Sequence, residues 1–78
     1  MLTTHNRDEL TKRFGKCTVG WKAVETCVIT CGVEVEQGVK EYLGERGYFV
    51  TGRRHPLIGS GYVDLNRVSV TGEKELSK

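Results

Sequence analysis

The 78-residue sequence predicts a small, single α+β domain: an N-terminal helix, a central amphipathic helix and a C-terminal β-hairpin. Three observations carry that expectation. In VEVEQGVKEYLGERG the apolar residues Val35, Val39, Tyr42 and Leu43 recur at i, i+4, i+7 and i+8, the spacing of one buried helix face. Leu10 and Phe14 repeat the i, i+4 spacing upstream. Downstream, Tyr48-Phe49-Val50-Thr51 and the run from Tyr62 to Val70 are rich in aromatic and β-branched residues, with a glycine-bearing stretch between them.

The first helix is expected over about residues 7–14. Asn6 can cap it, with Glu9 three residues on completing a capping box, and Gly15 supplies a stop. The stretch CTVGWKAVETCVITCGVEV supports two readings. Alternate positions from Cys17 to Val35 are apolar except Glu25, which describes a strand, and Thr26 to Thr30 is largely β-branched. Trp21, Val24, Val28, Cys31 and Val35 also form a helical stripe. The central helix spans about residues 35–46, supported by a Glu36–Lys40 pair and ended by Gly47. Gly38 and Gly44 inside it each cost about 1 kcal/mol relative to alanine, so the helix depends on its packed face. Strands then follow at residues 48–51 and, with a bulge near Asp64 to Asn66, at 62–70. Residues 52–61 form the exposed loop between them, and residues 1–72 the globular domain, with 73–78 as a frayed charged tail.

The disputed stretch therefore leaves two architectures. If residues 21–31 are helical, three helices precede the hairpin in a winged-helix arrangement. If residues 17–31 are extended, two helices pack on one face of a small antiparallel sheet.

Composition narrows the function classes. Hydrophobic residues make up 37% and charged residues 28%, the balance of a globular domain rather than a disordered or fibrous one. No apolar run approaches the roughly 20 residues needed to cross a bilayer, and MLTTHNRDEL opens polar, so a cytoplasmic protein without a membrane partner is expected. Three cysteines, Cys17, Cys27 and Cys31, cannot complete a disulfide framework. With His5 or His55 they could ligate zinc, but no compact ligand pair is present. The expected reading is free, buried thiols with no metal and no cofactor. Neither a nucleophile–base pair nor a phosphate-binding glycine motif before a helix can be placed, so no enzyme is expected.

Net charge is only +2, but it is unevenly spread. Residues 1–16 and 51–60 are each basic, and residues 17–50 are acidic. Arg53 and Arg54, beside His55 in the expected loop, have no neighbouring acid and suit phosphate contacts. Gln37 and Lys40 on the central helix, and Lys12 and Arg13 on the first, complete a candidate nucleic-acid surface. Glu34, Glu36, Glu41 and Glu45 beside them repel phosphates, so any DNA contact would fall to the hairpin and first helix.

The run VDLNRVSVTG, Val63 to Gly72, resembles the segment after the wing in phage excisionases, small winged-helix DNA-bending proteins. KRFGK, Lys12 to Lys16, is similar to small phage repressors of the Cro type. The stronger resemblance covers about ten residues, includes no base-reading residue and lacks that family's basic recognition helix. It implies a phage or mobile-element DNA-binding regulator that uses a basic hairpin loop. The alternative class is a small non-enzymatic protein that docks on, or inhibits, a host protein. There the acidic helix or Trp21, Tyr42, Tyr48 and Tyr62 would make contact, unless those aromatics fill the core. Either class leaves room for a homodimer.

Overall fold

In the computed structural model, which describes residues 4–23 and 25–74, helices and strands alternate in pairs. The order is α1 (Thr4–Phe14), β1 (Thr18–Ala23), β2 (Thr26–Gly32), a 3-10 turn (Val33–Val35), α2 (Glu36–Glu45), β3 (Tyr48–Arg54) and β4 (Arg67–Lys74). All strand pairs are antiparallel, in the spatial order β1-β2-β4-β3. The disputed stretch is a pair of strands, so the second architecture is the one adopted. Strand geometry buries Cys27, Ile29 and Cys31 together, whereas a helix would turn Ile29 to the side opposite Cys27 and Cys31.

One face of the sheet is the core. Rows of paired residues run across it: Cys31 opposite Val68, Ile29 opposite Val70, and Cys27 opposite Gly72. Leu10 of α1 and Val39, Tyr42 and Leu43 of α2 are buried against these rows. All three cysteines are free thiols buried in this layer. Burial raises each thiol's pKa, and that of Cys31 is pushed up to about 11. Gly15 (φ 83°) and Gly47 (φ 82°) end the two helices in left-handed backbone that residues with a Cβ avoid.

Several sequence expectations need correction. Asn6 lies inside α1 rather than capping it; its side chain donates to the Tyr42 hydroxyl (3.1 Å), which in turn donates to Glu9 (2.5 Å). A buried hydroxyl must find partners, and it recruits the residues that read as a capping box. Strand β4 extends through Lys74, into the expected tail, because Glu73 and Lys74 pair with Phe49 and Tyr48; residues 75–78 lie outside the described residues. The β3 ladder also runs on through Arg54, so the connection is residues 55–66, not 52–61. Residues 62–66 belong to that connection and not to a strand.

Both outer strands carry an irregularity: β1 at Lys22 and β3 at Thr51. Such bulges blunt sheet edges against further pairing. The one at Thr51 has a local effect as well. It shifts the in–out alternation by one residue, so Arg53 falls opposite core-facing Val70 and Arg54 opposite Ser69 on the uncovered face.

Candidate interaction surface

The twelve-residue connection between β3 and β4 is an ordered hairpin extension, hereafter the finger. Its two limbs are tied rung by rung. Asp64 N–H donates to the Pro56 carbonyl (2.8 Å), Leu57 bridges Val63, and Ile58 N–H donates to the Tyr62 carbonyl (2.8 Å). Gly61 N–H closes the tip on the Ile58 carbonyl, and Asn66 N–H donates to the Asp64 carboxylate (3.0 Å). At the base, His55 Nδ1–H donates to the Arg67 carbonyl oxygen (2.8 Å).

The finger is apolar and uncovered. Leu57 (69%), Ile58 (48%), Tyr62 (71%), Val63 (50%) and Leu65 (69%) are all exposed. Among the described residues only Trp21 and Phe49 are comparably exposed large hydrophobics elsewhere. Asp64 is the only carboxylate in the finger, and its backbone and side chain serve the hairpin's own turns.

The candidate nucleic-acid residues do not form one patch. Arg53 makes a two-pronged contact with Glu36, Nε to Oε2 at 2.5 Å and Nη2 to Oε1 at 3.0 Å. Lys40 pairs with the same carboxylate at 3.4 Å. These cations, the Arg53 hydrogen bonds first, hold the Glu36 carboxyl below the usual glutamate value. Gln37 donates to Glu41 (3.4 Å). Arg13 lies over the rings of Phe14 and Tyr42, 5.2 and 5.5 Å from their centroids. Lys12 is exposed on α1, in the helix layer, and Arg54 is exposed on the opposite side of the sheet.

Arg54 is the exception among the cations of the hairpin. It has no hydrogen-bond or ion-pair partner among the described residues. Its side chain shares the uncovered face with a row of hydroxyls, Thr18, Thr30 and Ser69, paired in register across the sheet. Thr30 and Ser69 share a hydrogen bond of 2.8 Å. A cleft of about 430 Å³ opens between Arg54, His55, Pro56, Leu57 and Ser69. A second of about 200 Å³, lined by Val28, Gly52, Arg53, Arg54 and Thr71, adjoins it. Arg67 closes the base of this region, its guanidinium donating to the carbonyls of Lys16 (3.0 Å) and Thr30 (3.3 Å).

The four aromatic candidates divide evenly: Tyr42 and Tyr48 are core residues, whereas Trp21 and Tyr62 are exposed. Sequence reasoning missed the finger because it assigned residues 62–65 to a strand. A signal was available. Leu57-Ile58 and Tyr62-Val63 are adjacent apolar pairs around Gly59-Ser60-Gly61, and adjacency cannot place both members of a pair on one buried face.

Fold and surface together define a small α+β domain with a helix-covered face, an uncovered face and an apolar hairpin finger. Among the described residues no three or more His, Cys, Asp or Glu side chains gather as metal ligands, and no helix is long and apolar enough to cross a membrane. No family model, curated protein or solved structure matches the chain.

Proposed function

We propose that the protein is a non-enzymatic interaction module that docks on a partner protein through its finger. The observation that carries this reading is the concentration of exposed large hydrophobics in residues 57–65. Contiguous exposed apolar surface is costly to keep in water and marks contact sites. The finger's internal hydrogen bonds hold it ready, so little ordering entropy is lost when it docks. Tyr62 is of a residue type enriched where binding energy concentrates. A nucleic-acid reading is less well supported, since one carboxylate, Glu36, already holds two of the candidate cations, Arg53 and Lys40.

Photo-crosslinking tests the proposal. A photoreactive residue at position 57 or 65, in cells that make the protein, is expected to give a discrete protein adduct. The same group at Lys12 gives none. Duplex DNA titrated at low salt should show no binding with a steep salt dependence. A nucleic-acid adduct from the finger would overturn the reading. So would DNA affinity whose log–log salt slope falls by about two units in Arg53→Ala/Arg54→Ala, at about 0.9 per phosphate.

A further inference from the structure

Beside the root of the finger, the cleft at Arg54 combines a free charge with an apolar wall. Its lining offers the Arg54 guanidinium, the His55 ring and the Ser69 hydroxyl, and Pro56 and Leu57 on the apolar side. Among the described residues no carboxylate lines this cleft or the adjoining one at Val28, Gly52, Arg53, Arg54 and Thr71. The neighbouring Arg53 is ion-paired with Glu36, a carboxylate it shares with Lys40. Arg53 also lines the adjoining cleft, but Glu36 holds its guanidinium, so Arg54 is the arginine with no partner among the described residues. Guanidinium forks match carboxylates geometrically, and a lone arginine beside apolar surface is favourable for an anion that carries its own apolar group.

We propose that this cleft binds a carboxylate flanked by an apolar side chain, presented by the protein partner on which the finger docks. The carboxylate accepts two N–H donors from Arg54, and the adjacent apolar group lies against Pro56 and Leu57. The hydroxyls of Ser69 and Thr71 supply further donors along the uncovered face. This proposal rests on the docking role of the finger and adds the chemistry that the partner must offer. A phosphate or nucleic acid, which also seeks guanidinium groups, has no use for the apolar wall. The two chemistries are therefore separable by experiment.

The test needs no partner protein. Arginine side-chain Nε–H resonances and leucine methyls are followed by NMR while N-acetyl-leucine is titrated in, at constant ionic strength. N-acetyl-leucinamide, inorganic phosphate and oligothymidylate are titrated in parallel. N-acetyl-leucine is expected to shift Arg54 and Leu57 saturably, in a range on the order of millimolar. The amide, lacking the charge, should bind about tenfold more weakly, the order of one charge-assisted hydrogen bond. Arg54→Gln should abolish saturation with the fold intact, and Arg54→Lys should give intermediate affinity, keeping charge but losing the fork. Absence of saturation, equal binding of the amide, binding that survives Arg54→Gln, or tighter binding of phosphate or oligothymidylate at these resonances each overturns the proposal. Failure here leaves the crosslinking result of the finger untouched. Failure of the finger leaves N-acetyl-leucine binding in place but removes the partner's part in it.

Discussion

The β3–β4 hairpin is apolar at both ends, yet only one end is buried. At its root and middle, Tyr48, Val68 and Val70 lie beneath the helix layer; in the finger, Leu57, Tyr62 and Leu65 face solvent. The difference follows from lengths. Ten residues of α2 extend about 15 Å at 1.5 Å per residue. From Tyr48 to Gly59 the hairpin extends roughly 37 Å at about 3.4 Å per residue, in keeping with the molecule's longest dimension of 43 Å. A helix of that length cannot cover such a hairpin. The uncovered remainder is apolar all the same, so its side chains are not there for the core. Hydrophobicity therefore serves folding at one end of this element and contact at the other.

The largest effect is expected where the root meets α2. Leu43 is fully buried, so Leu43→Ala should cost about 2–5 kcal/mol in denaturant unfolding. A domain of this size has a total margin near that value, so the variant is to be measured in a stabilising osmolyte. A loss under about 0.5 kcal/mol, the range of exposed substitutions, would mean that root and finger do not differ as described.

Next come two glycines of α2 with opposite expected signs. A Cβ at Gly38 would stand 2.5 Å from Cε1 of Phe14, which packs edge-on to Tyr42. Overpacking costs about 1–3 kcal/mol, more than the helix-propensity gain of about 1 kcal/mol. Gly38→Ala should therefore destabilise. At Gly44 a Cβ meets nothing within 4 Å, so Gly44→Ala should stabilise by up to about 1 kcal/mol. Thermal melts of both variants decide the matter, and equal shifts would contradict the close approach of the two helices.

Acid sensitivity separates the helix layer from the finger. The Tyr42 hydroxyl first, and Arg46 at 2.9 Å, hold the Glu9 carboxyl below its usual value; Arg53 and Lys40 do the same for Glu36. Because both folded values are depressed, the stability these groups contribute is present in full above the ordinary glutamate value of 4.5. It is lost as pH falls through the lower folded values. Melting temperature followed from neutral to acid pH should thus fall more steeply in the parent than in Glu9→Gln/Glu36→Gln. Identical profiles would show that these carboxylates are not held in the folded state.

Much of the covered half was legible in the sequence, and little of the uncovered half. The i, i+4, i+7, i+8 spacing of Val35, Val39, Tyr42 and Leu43 marks a face that the core requires, so periodicity located α2 to within about a residue at each end. Positive-φ stops at Gly15 and Gly47 were equally readable, because few other residues fit that backbone. The register of β3 was not. A single bulge at Thr51 exchanges the faces of Arg53 and Arg54, and no local pattern announces a bulge. Glu36 could not be recognised as the partner of Arg53 because the pair is 17 residues apart and on different elements. Two adjacent cations with no neighbouring acid in sequence therefore looked like a phosphate grip, when one already had its counter-charge.

The smallest stability effect should come from the finger itself, and that smallness is what makes it informative. Leu57 and Leu65 are each 69% exposed, so Leu57→Ser/Leu65→Ser removes little buried area. Exposed substitutions usually stay within about 0.5 kcal/mol, and the rungs that order the hairpin are backbone hydrogen bonds that serine leaves in place. Denaturant unfolding should barely move. A crosslink to a partner protein from a photoreactive residue placed instead at position 62 should nonetheless disappear, since the apolar surface it depends on is gone. A residue that folding does not need and contact does need shows just this dissociation. Should the double variant lose more than about 2 kcal/mol, a loss typical of buried leucines, the finger would be part of the core in solution. The apolar residues at both ends of the hairpin would then serve the same purpose.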